Sequence, residues 1–536
     1  MAARFAIPLL LVLMRSAAAQ PTDGLPPDQR AYSEAGKLTD PEQEIAALQK
    51  LREDFPGSIF GRLAGPSILS TLIQKLPEQT ERIRKFASQL YRETPERERG
   101  SMANQIAATL LARGLMLDDA RTYAQMAIDS QSLSAYIREQ QDAYRERNEP
   151  APWTKDLEKR FQTAHAPRLA TLGRIEFNLG HDARARRLLE EAYLYDKSPI
   201  IESALGQLAL KSGDDEKALD YLIAAALSGA APKEASAMLA DLFRKQHGGS
   251  IEGFDAMLDA EYRKRFPNPL NEAAYTPSSN RSSRVVLAEV FTGSGCVPCV
   301  AADLAVDTVL LRYARKDLAV VMYHEHIPRP DPMTNEDTVA RGKSYVVQGV
   351  PAFVIDGKRI PGGGGDREQT HAVYNRFNPD IELELGTPPE ASLTAGAALT
   401  GNIVRVLAAV GAVKGEASDL KVHILLLEKQ LRYTGENGIR FHPMVVRAMG
   451  GRDGAGLPLE KPGSVFEQTF DLQQISQAIG KYLDAYEAGG HRAGPFTFTE
   501  KKDRIDPSDV AVVVFVQQEK SRHVLQSVYI DVNNLR

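Results

Sequence analysis

The sequence contains two cysteines, Cys296 and Cys299, in a Cys-Val-Pro-Cys motif. Two thiols at this spacing can form and break one disulfide, which is the chemistry of thiol–disulfide exchange. A β-rich run at 285–291 precedes the motif and a helical stripe follows it, so the motif is predicted to open a helix. The partial positive charge of a helix N-terminus stabilises a thiolate. We therefore expect Cys296 to be exposed, with a lowered pKa, and to act as the nucleophile, while Cys299 resolves the mixed disulfide.

A static disulfide is the alternative interpretation of the same pair. A structural disulfide stabilises a protein mainly by closing a long loop, and its contribution falls as the loop shortens. Here only Val297 and Pro298 separate the cysteines. The spacing therefore favours exchange, but it does not indicate whether the reaction is reduction, oxidation or isomerisation.

The N-terminal residues 1–19 have the pattern of a signal peptide. Arg4 precedes an apolar run at 5–14, and small residues at 17–19 suit a cleavage site. Residues 20–40 are polar and proline-containing, which is typical of a flexible lead-in. No later segment is apolar over the ~18 residues that a membrane span needs. We expect an exported protein, periplasmic or extracellular, without a transmembrane segment in the mature chain.

From 41 to 266 the apolar residues recur every three or four positions, which predicts helices. Residues 172–185 and 205–218 repeat the same pattern 33 positions apart, with a Leu-Gly pair, then a Gly-His-Asp or Gly-Asp-Asp turn, then alanine. This pattern resembles the tetratricopeptide repeat. The resemblance implies a helical tetratricopeptide-like domain at 41–266 with a concave surface that binds a peptide or protein ligand. A helical spacer without a ligand is the open alternative.

A linker is predicted at 267–283, and residues 284–378 are predicted to form a β-α-β-α-β-β-α unit. With its Cys-Val-Pro-Cys motif and with Val350-Pro351 before a strand, this unit resembles thioredoxin. The resemblance implies a thioredoxin-like fold in which Pro351 is a cis-proline facing the disulfide and Val350 and Pro351 bind the substrate backbone. It also implies a proton-relay role for Glu289 on the preceding strand. Gly295 stands where that family has tryptophan.

Strand-like runs return from 385 to 536, punctuated by glycine and proline, which is typical of an antiparallel β-sandwich. Residues 475–486 carry a helical apolar stripe and predict an inserted helix. The Phe-Thr-Gly lead at 291–293 and the His-Pro-Met-Val-Val-Arg run at 442–447 resemble bacterial thioredoxin-like proteins named after an outer-membrane protein. This second resemblance extends to about residue 532.

Composition excludes several other classes of protein. The 65 basic and 70 acidic residues give a net charge of −5, without the basic excess of a nucleic-acid-binding protein. His324 and His326 flank Glu325, but they lie too close along a strand end for a metal site, so no metal is expected. No small-molecule cofactor is expected, because the cysteine pair is itself the redox centre.

Together these features predict a multidomain fold: an all-α helical repeat, an α/β thioredoxin-like domain and a mostly-β C-terminal sandwich. We expect thiol–disulfide oxidoreductase activity on protein substrates, with a redox partner that renews the pair. The alternative is a non-catalytic envelope adaptor that binds proteins through the helical repeats and the sandwich.

Overall fold

The structure, a computed structural model, describes residues 25–451, 454–489 and 496–534. The predicted signal peptide at 1–19 lies outside these residues. The described chain forms two compact units, one up to Ala256 and one from Met257 onward. Within the residues that the structure describes, no helix combines the length and the apolar character that a membrane crossing requires.

The first unit is a helical repeat region, as the periodicity predicts. Its helices bury small and aliphatic residues between them. They are α1 (Pro27–Ala35), α2 (Pro41–Asp54), α3 (Ile59–Lys75), α4 (Thr80–Glu93), α5 (Arg99–Arg113), α6 (Leu117–Asp129), α7 (Leu133–Glu146), α8 (Thr154–Asn178), α9 (Asp182–Tyr193), α10 (Pro199–Lys211), α11 (Asp215–Leu227), α12 (Lys233–Gln246) and α13 (Phe254–Arg265), whose last turns belong to the second unit.

The repeated glycines hold the helices of two successive pairs close together. A Cβ atom on Gly173 in α8 would lie 2.8 Å from the Leu189 side chain in α9. The same is true 33 residues later, where a Cβ on Gly206 in α10 would lie 2.8 Å from Leu222 in α11. The glycines that end α8 and α10 take left-handed φ angles, 82° at Gly180 and 75° at Gly213. Sequence and geometry therefore repeat together, which confirms the helical repeat.

The second unit contains the remaining elements. Its helices are α14 (Val300–Arg312), α15 (Glu336–Ser344), α16 (Thr370–Gly386) and α17 (Leu472–Ala488). Its strands are β1 (Val286–Thr292), β2 (Leu318–His324), β3 (Ala352–Ile355), β4 (Lys358–Ile360), β5 (Ala391–Thr400), β6 (Ile403–Val413), β7 (Leu420–Arg432), β8 (Phe441–Met449), β9 (Leu457–Pro458), β10 (Ser464–Asp471), β11 (Val510–Gln518), β12 (Val524–Asp531) and β13 (Asn533–Asn534).

One mixed sheet runs through this unit in the order β12-β11-β7-β8-β2-β1-β3-β4, with β9 paired to β7. The strands expected in two domains, at 284–378 and 385–536, meet where β2 pairs in parallel with β8 at Met322 and Val445. The sheet therefore has no break at the expected boundary. Both strands are buried almost throughout, as expected for strands in the middle of a sheet.

A second, four-stranded sheet, β10-β6-β5-β13, packs over the β12-β11-β7 part of the first. Alternate residues of β7 and β11 therefore enter different cores, since successive side chains of a strand point to opposite faces. Leu426 and Val514 pack against the four-stranded sheet, whereas Leu425 and Phe515 pack against the core around β1 and β2. A sandwich is present, and it shares its larger sheet with the segment that carries the cysteines.

A fully buried arginine joins segments that are distant in sequence. Arg284 has no exposed surface, and its guanidinium donates to the Asp356 carboxylate at 3.0 Å and to the carbonyls of Thr387, Pro388 and Val524. The segment expected to be a linker also packs in this unit, because the Asn268 side chain donates to the carbonyl of Leu304 in α14. These bonds hold 268–284 in place against the sheet and its helices.

The close helix approach generates a prediction for a double-mutant cycle. Gly206→Ala inserts a methyl group against Leu222, and overpacking of this kind costs about 1–3 kcal/mol. Leu222→Ala removes the obstructing side chain, so the two changes should be coupled by about 0.5–3 kcal/mol. The measurement is the free energy of unfolding in urea for the wild type, both single variants and the double variant.

Leu189 supplies the matched control for this cycle, because it faces Gly173 in the preceding repeat. Gly206→Ala combined with Leu189→Ala should be additive within about 0.5 kcal/mol. Equal coupling to both leucines would contradict the proposed packing of successive helix pairs.

Candidate functional site

The cysteine pair lies between the end of β1 and the start of α14. A short 3-10 turn, Val297–Cys299, leads directly into α14, and Cys299 already has helical φ and ψ angles of −74° and −16°. Cys296 and Cys299 are joined in a disulfide. The Cys296 sulfur lies 3.6 Å from the carbonyl oxygen of Val350. The Val350–Pro351 bond that follows is cis, in agreement with the expectation from the resemblance.

The expectation of an exposed Cys296 is wrong, because this residue is 1% exposed and Cys299 is 0% exposed. The residues between them do reach solvent, and Val297 is 64% exposed. The motif thus presents its turn at the surface while both sulfurs lie beneath neighbouring chain segments. Burial follows from two segments that pack on the motif.

The first covering segment is the loop between β7 and β8, residues 433–440, which we call the hairpin tip. The Asn437 backbone N–H donates to the carbonyl of Ser294 at 3.0 Å. The Asn437 side-chain amide donates to the carbonyls of Cys296 at 3.4 Å and Gly293 at 3.5 Å. One asparagine therefore binds the backbone on which the first cysteine is carried.

Further contacts hold the hairpin tip in this position. Ile439 packs with Val300 and Leu304 on the first turns of α14. Glu436 forms an ion pair with Arg329, whose side chain lies over Gly295. At the base of the hairpin, the buried Asp259 carboxylate bridges Arg432 at 2.8 Å and Arg440 at 2.7 Å. Contacts within the hairpin tip and at the base of the hairpin therefore hold it in this position.

The second covering segment is the glycine-rich run 362–365 that follows β4. The Gly365 N–H donates to the carbonyl of Pro298 at 2.7 Å, and the Ala301 N–H donates back to the carbonyl of Gly365 at 3.1 Å. A Cβ on Gly364 would lie 3.2 Å from Pro298 and 3.5 Å from Pro351. The absence of side chains lets this backbone pass directly beside the disulfide turn and the proline.

Glu289 lies on the opposite face of β1 from the side chain that contacts α14. Its carboxylate is fully buried and accepts a two-pronged bond from Arg341 at 2.8 and 3.0 Å. The hydroxyls of Tyr323 and Tyr345 also donate to it, at 2.9 and 2.7 Å. The structure therefore places Glu289 in an ion pair with α15 and does not bring it to the α14 face of the sheet.

The face that α14 covers carries a different set of buried polar groups. Thr292, the last residue of β1, donates its hydroxyl to the Asp303 carboxylate in α14 at 2.8 Å. His324 is the register partner of Thr292 on β2, and its Nδ1 lies 2.9 Å from the Asp331 carboxylate. Asp331 also accepts the Ser294 N–H at 2.6 Å. We call Thr292, Asp303, His324 and Asp331 the buried cluster.

Burial and hydrogen bonding move the two carboxyl pKa values of the buried cluster in opposite directions. Burial raises the pKa of Asp303 to about 7, and the bond from Thr292 opposes this. Burial also acts to raise the pKa of Asp331, but His324 and the N–H groups of Ser294 and Met333 outweigh it and hold this pKa well below its usual range. Asp303 is therefore the carboxyl group that gains and loses a proton near neutral pH.

The described residues do not place His324 and His326 in a group of metal ligands. Across the ranges that the structure describes, no group of three or more His, Cys, Asp or Glu side chains is placed to hold a metal ion. The His326 Nδ1 accepts the Asp331 backbone N–H at 2.9 Å, and the ring stacks on Tyr486 at 3.6 Å between centroids.

Sequence reasoning found the disulfide and Val350-Pro351 but missed Asn437, Asp303 and the glycine segment. Asn437 lies 141 residues from Cys296, so no local spacing could associate them. Asp303 did have a signal, since it follows Cys299 by four residues and sits among the apolar residues of α14. A carboxylate on the apolar face of a helix needs a partner or a proton.

Comparisons with known proteins give weak likenesses. No family model and no curated protein matches the chain. Solved structures similar to part of it include HBP35 of Porphyromonas gingivalis, with 14% identity, TM-score 0.31, covering 47% of this chain and 76% of that one. A domain of the outer membrane lipoprotein Omp28 from Porphyromonas gingivalis has 14% identity and TM-score 0.17, covering 28% and 92%.

A third structure is similar to 40% of this chain and is itself covered to 97%. It is a thermophilic TPR protein in Thermus thermophilus, with 17% identity and TM-score 0.26. At TM-scores this low, these likenesses carry no argument about this chain.

The hairpin tip generates a prediction about access to the disulfide. Asn437→Ala removes the side-chain bonds to Cys296 and Gly293, which are worth about 0.5–1.5 kcal/mol each at most. The reductant reaches the disulfide when the tip opens. A free energy of opening that is lower by about 1–2 kcal/mol should therefore speed reduction roughly 5- to 30-fold. The measurement is the rate at which dithiothreitol reduces the folded protein, followed by trapping of the thiols.

Asn402→Ala is the matched control, since Asn402 is exposed in the turn between β5 and β6. It should leave the reduction rate unchanged. An Asn437→Ala rate equal to that of the wild type would contradict a covering role for the tip, and equal unfolding midpoints would exclude global destabilisation as the cause of any increase.

Proposed function

We propose that this protein is an exported thiol–disulfide oxidoreductase, periplasmic or extracellular, that acts on protein substrates through Cys296 and Cys299. The observation that carries the proposal is the disulfide between these cysteines at the start of α14, with the Cys296 sulfur beside the Val350 carbonyl. A helix N-terminus favours the thiolate that exchange requires. A bond that spans two intervening residues adds little stability through loop closure, which supports a chemical role.

The surrounding elements support a thioredoxin-like unit over 284–378. Their order is β1-α14-β2-α15-β3-β4-α16, with the cysteines after the first strand. In this proposal Val350 and Pro351 guide the substrate chain, and the exposed Val297 provides an apolar contact for it. The tetratricopeptide-like helices at 41–266 and the strands at 385–536 bind the protein substrate or the redox partner.

The reaction proceeds by two exchanges of sulfur–sulfur bonds. The Cys296 thiolate attacks a substrate disulfide, which forms a mixed disulfide and releases one substrate thiolate to take up a proton. Cys299 then loses its proton and attacks the Cys296 sulfur, which forms the Cys296–Cys299 bond and releases the second substrate thiolate. The substrate gains two electrons and the pair loses two, so a dithiol donor must return them. Run backward, the same steps oxidise a substrate dithiol.

The second candidate function is a non-catalytic envelope adaptor. The observation that favours it is the burial of both sulfurs, since a reactive cysteine is ordinarily accessible. In this case the helical repeats and the sandwich bind proteins and the disulfide only holds the motif. The double variant Cys296→Ser, Cys299→Ser separates the candidates, because an adaptor keeps its partner binding and cellular function.

Single cysteine variants give the first test of exchange. Cys296→Ser should abolish reduction of insulin in the presence of dithiothreitol, because the attacking sulfur is gone. Cys299→Ser should retain the attack and lose the resolution, so it should accumulate mixed disulfides that gel electrophoresis without reductant detects. Absence of any trapped partner in the Cys299→Ser variant would count against exchange.

The reduction potential of the pair gives the direction. Equilibration of the folded protein in glutathione or dithiothreitol buffers, followed by thiol trapping, measures it. A value near or below about −250 mV indicates a reductase, and a value near about −120 to −180 mV indicates an oxidase or isomerase. A pair that equilibrates only after denaturation would refute exchange and leave the adaptor.

A further inference from the structure

The chemistry proposed above needs a group that takes the proton of Cys299, because the thiolate and not the thiol attacks. Cys299 has no exposed surface, so bulk water is not in contact with it. Glu289 lies on the opposite face of β1, where its carboxylate forms an ion pair with Arg341. The proton acceptor must therefore come from the α14 face of the sheet.

Asp303 has the required position relative to Cys299. Cys299 has helical backbone angles, so Asp303 follows it by four residues on a continuous turn of helix. Side chains at this spacing lie on the same face, with about 5–6 Å between their Cβ atoms. Asp303 is 3% exposed, so bulk water has little access to its carboxyl group.

The hydrogen bonds of Asp303 leave one oxygen for the proton. Its Oδ1 accepts from Thr292, whereas its Oδ2 is buried without a hydrogen-bond partner among the described residues. A buried carboxylate oxygen without a donor is costly unless it carries a proton of its own. The free oxygen is thus a place where a proton can be held.

His324 supplies a second buried site on the same face. Its Nδ1 lies 2.9 Å from the Asp331 carboxylate, and this contact fixes the orientation of the ring. Its Nε2 is also buried without a hydrogen-bond partner in the described part of the chain. His324 and Thr292 are neighbours across β1 and β2 with side chains on one face, so His324 lies beside the Thr292–Asp303 bond.

We infer that Asp303 is the proton acceptor and donor for Cys299, and that Thr292 and the Asp331-oriented His324 are positioning residues for it. In the resolving step the Cys299 S–H bond breaks and its proton passes to Asp303. The Cys299 sulfur then attacks the Cys296 sulfur of the mixed disulfide, the bond between Cys296 and the substrate sulfur breaks, and the substrate thiolate leaves. In the reverse step Asp303 returns the proton to the departing Cys299 thiolate. This inference rests on the proposed exchange function and adds the group that carries its proton.

The electrostatic surroundings agree with this role. A pKa of about 7, raised by burial, leaves both forms of Asp303 populated at neutral pH. The groups that face Asp303 are Asp307 on α14, His324 on β2 and Asp331 in the following loop. Behind them, Arg367 faces Asp307, and the buried, neutral His442 on β8 faces His324. The hydrogen-bond donor to Asp303 is the uncharged Thr292 hydroxyl and not a cation. Asp303 can therefore take up the proton of Cys299 without breaking an ion pair.

The test measures the lifetime of the mixed disulfide formed when the reduced protein reacts with oxidised glutathione. Acid quenching at successive times, followed by mass spectrometry, counts this species from pH 5 to 9. In the wild type, resolution should accelerate as pH rises through about 7, where Asp303 becomes a carboxylate. Asp303→Asn keeps the bond to Thr292 but cannot take the proton, so this inflection should vanish and resolution should slow roughly 100-fold at neutral pH.

Thr292→Val gives a second, independent readout. It preserves shape and removes the hydroxyl whose bond lowers the pKa of Asp303, so the inflection should move to higher pH. A purely structural role for Thr292 would change stability without moving the inflection. Glu416→Gln is the control, because Glu416 is an exposed carboxylate in the loop after β6, outside the buried cluster. It should retain both the rate and the inflection.

The outcomes separate this inference from the proposed function. If the wild type exchanges while Asp303→Asn and Thr292→Val reproduce its rates and inflection, the proton role of Asp303 is overturned and the exchange function stands. If Glu289→Gln loses the pH inflection instead while it keeps the unfolding midpoint of the wild type, the proton acceptor is Glu289. If the folded wild type does not exchange with glutathione at all, the proposed function fails, and the proton role fails with it.

Discussion

The parallel pairing of β2 with β8 is the interaction on which the second unit depends. It joins strands from distant parts of the chain into one sheet, and each neighbouring feature follows from it. Because β8 lies beside β2, the β7–β8 hairpin extends past the end of β1, where its tip reaches the cysteine turn. Because β7 and β11 continue the same sheet, their alternate residues fill two cores instead of one. The site and the sandwich are therefore built on the same sheet.

Buried ion pairs mark the places where this structure is held together. Arg284 with Asp356 and Arg341 with Glu289 are buried, and each guanidinium also bonds to groups from the last strands of the unit. Charges buried in this way cost desolvation energy and are tolerated only with complete hydrogen bonding. Because these hydrogen bonds are directional, they are more selective than apolar contacts about which segments pack together. The carboxylate of Glu289, on the strand that leads to the cysteines, is part of this assembly.

Local sequence signals predicted the elements of this fold well, and their combination less well. The helix after β10 and the 33-residue helical repeat follow from periodicity and are confirmed. The strand Ala391–Thr400 has a weak sequence signal, because alanine, glycine and threonine dominate it and leave little alternation of bulky apolar residues. The burial of Cys296 could not be predicted, since Asn437 and the glycine segment approach it from elements distant in sequence. The spacing of residues predicts which side chains lie on the same face of one helix or strand. It cannot predict that segments distant in sequence cover the cysteines.

The two units differ in how far their contacts reach along the chain, and this affects how each one folds. In the first unit, each helix packs mainly against helices that are close to it in sequence. In the second unit, the Val285 N–H donates to the side chain of Gln526, 241 residues away. Local contacts favour rapid folding, and distant strand pairing delays it. A chain that emerges from its N-terminus can complete the helical unit early, while the cysteines remain uncovered until residues 433–440 have been made and have docked. The nascent thiols are thus open to cellular oxidants during a period that ends when the sheet closes.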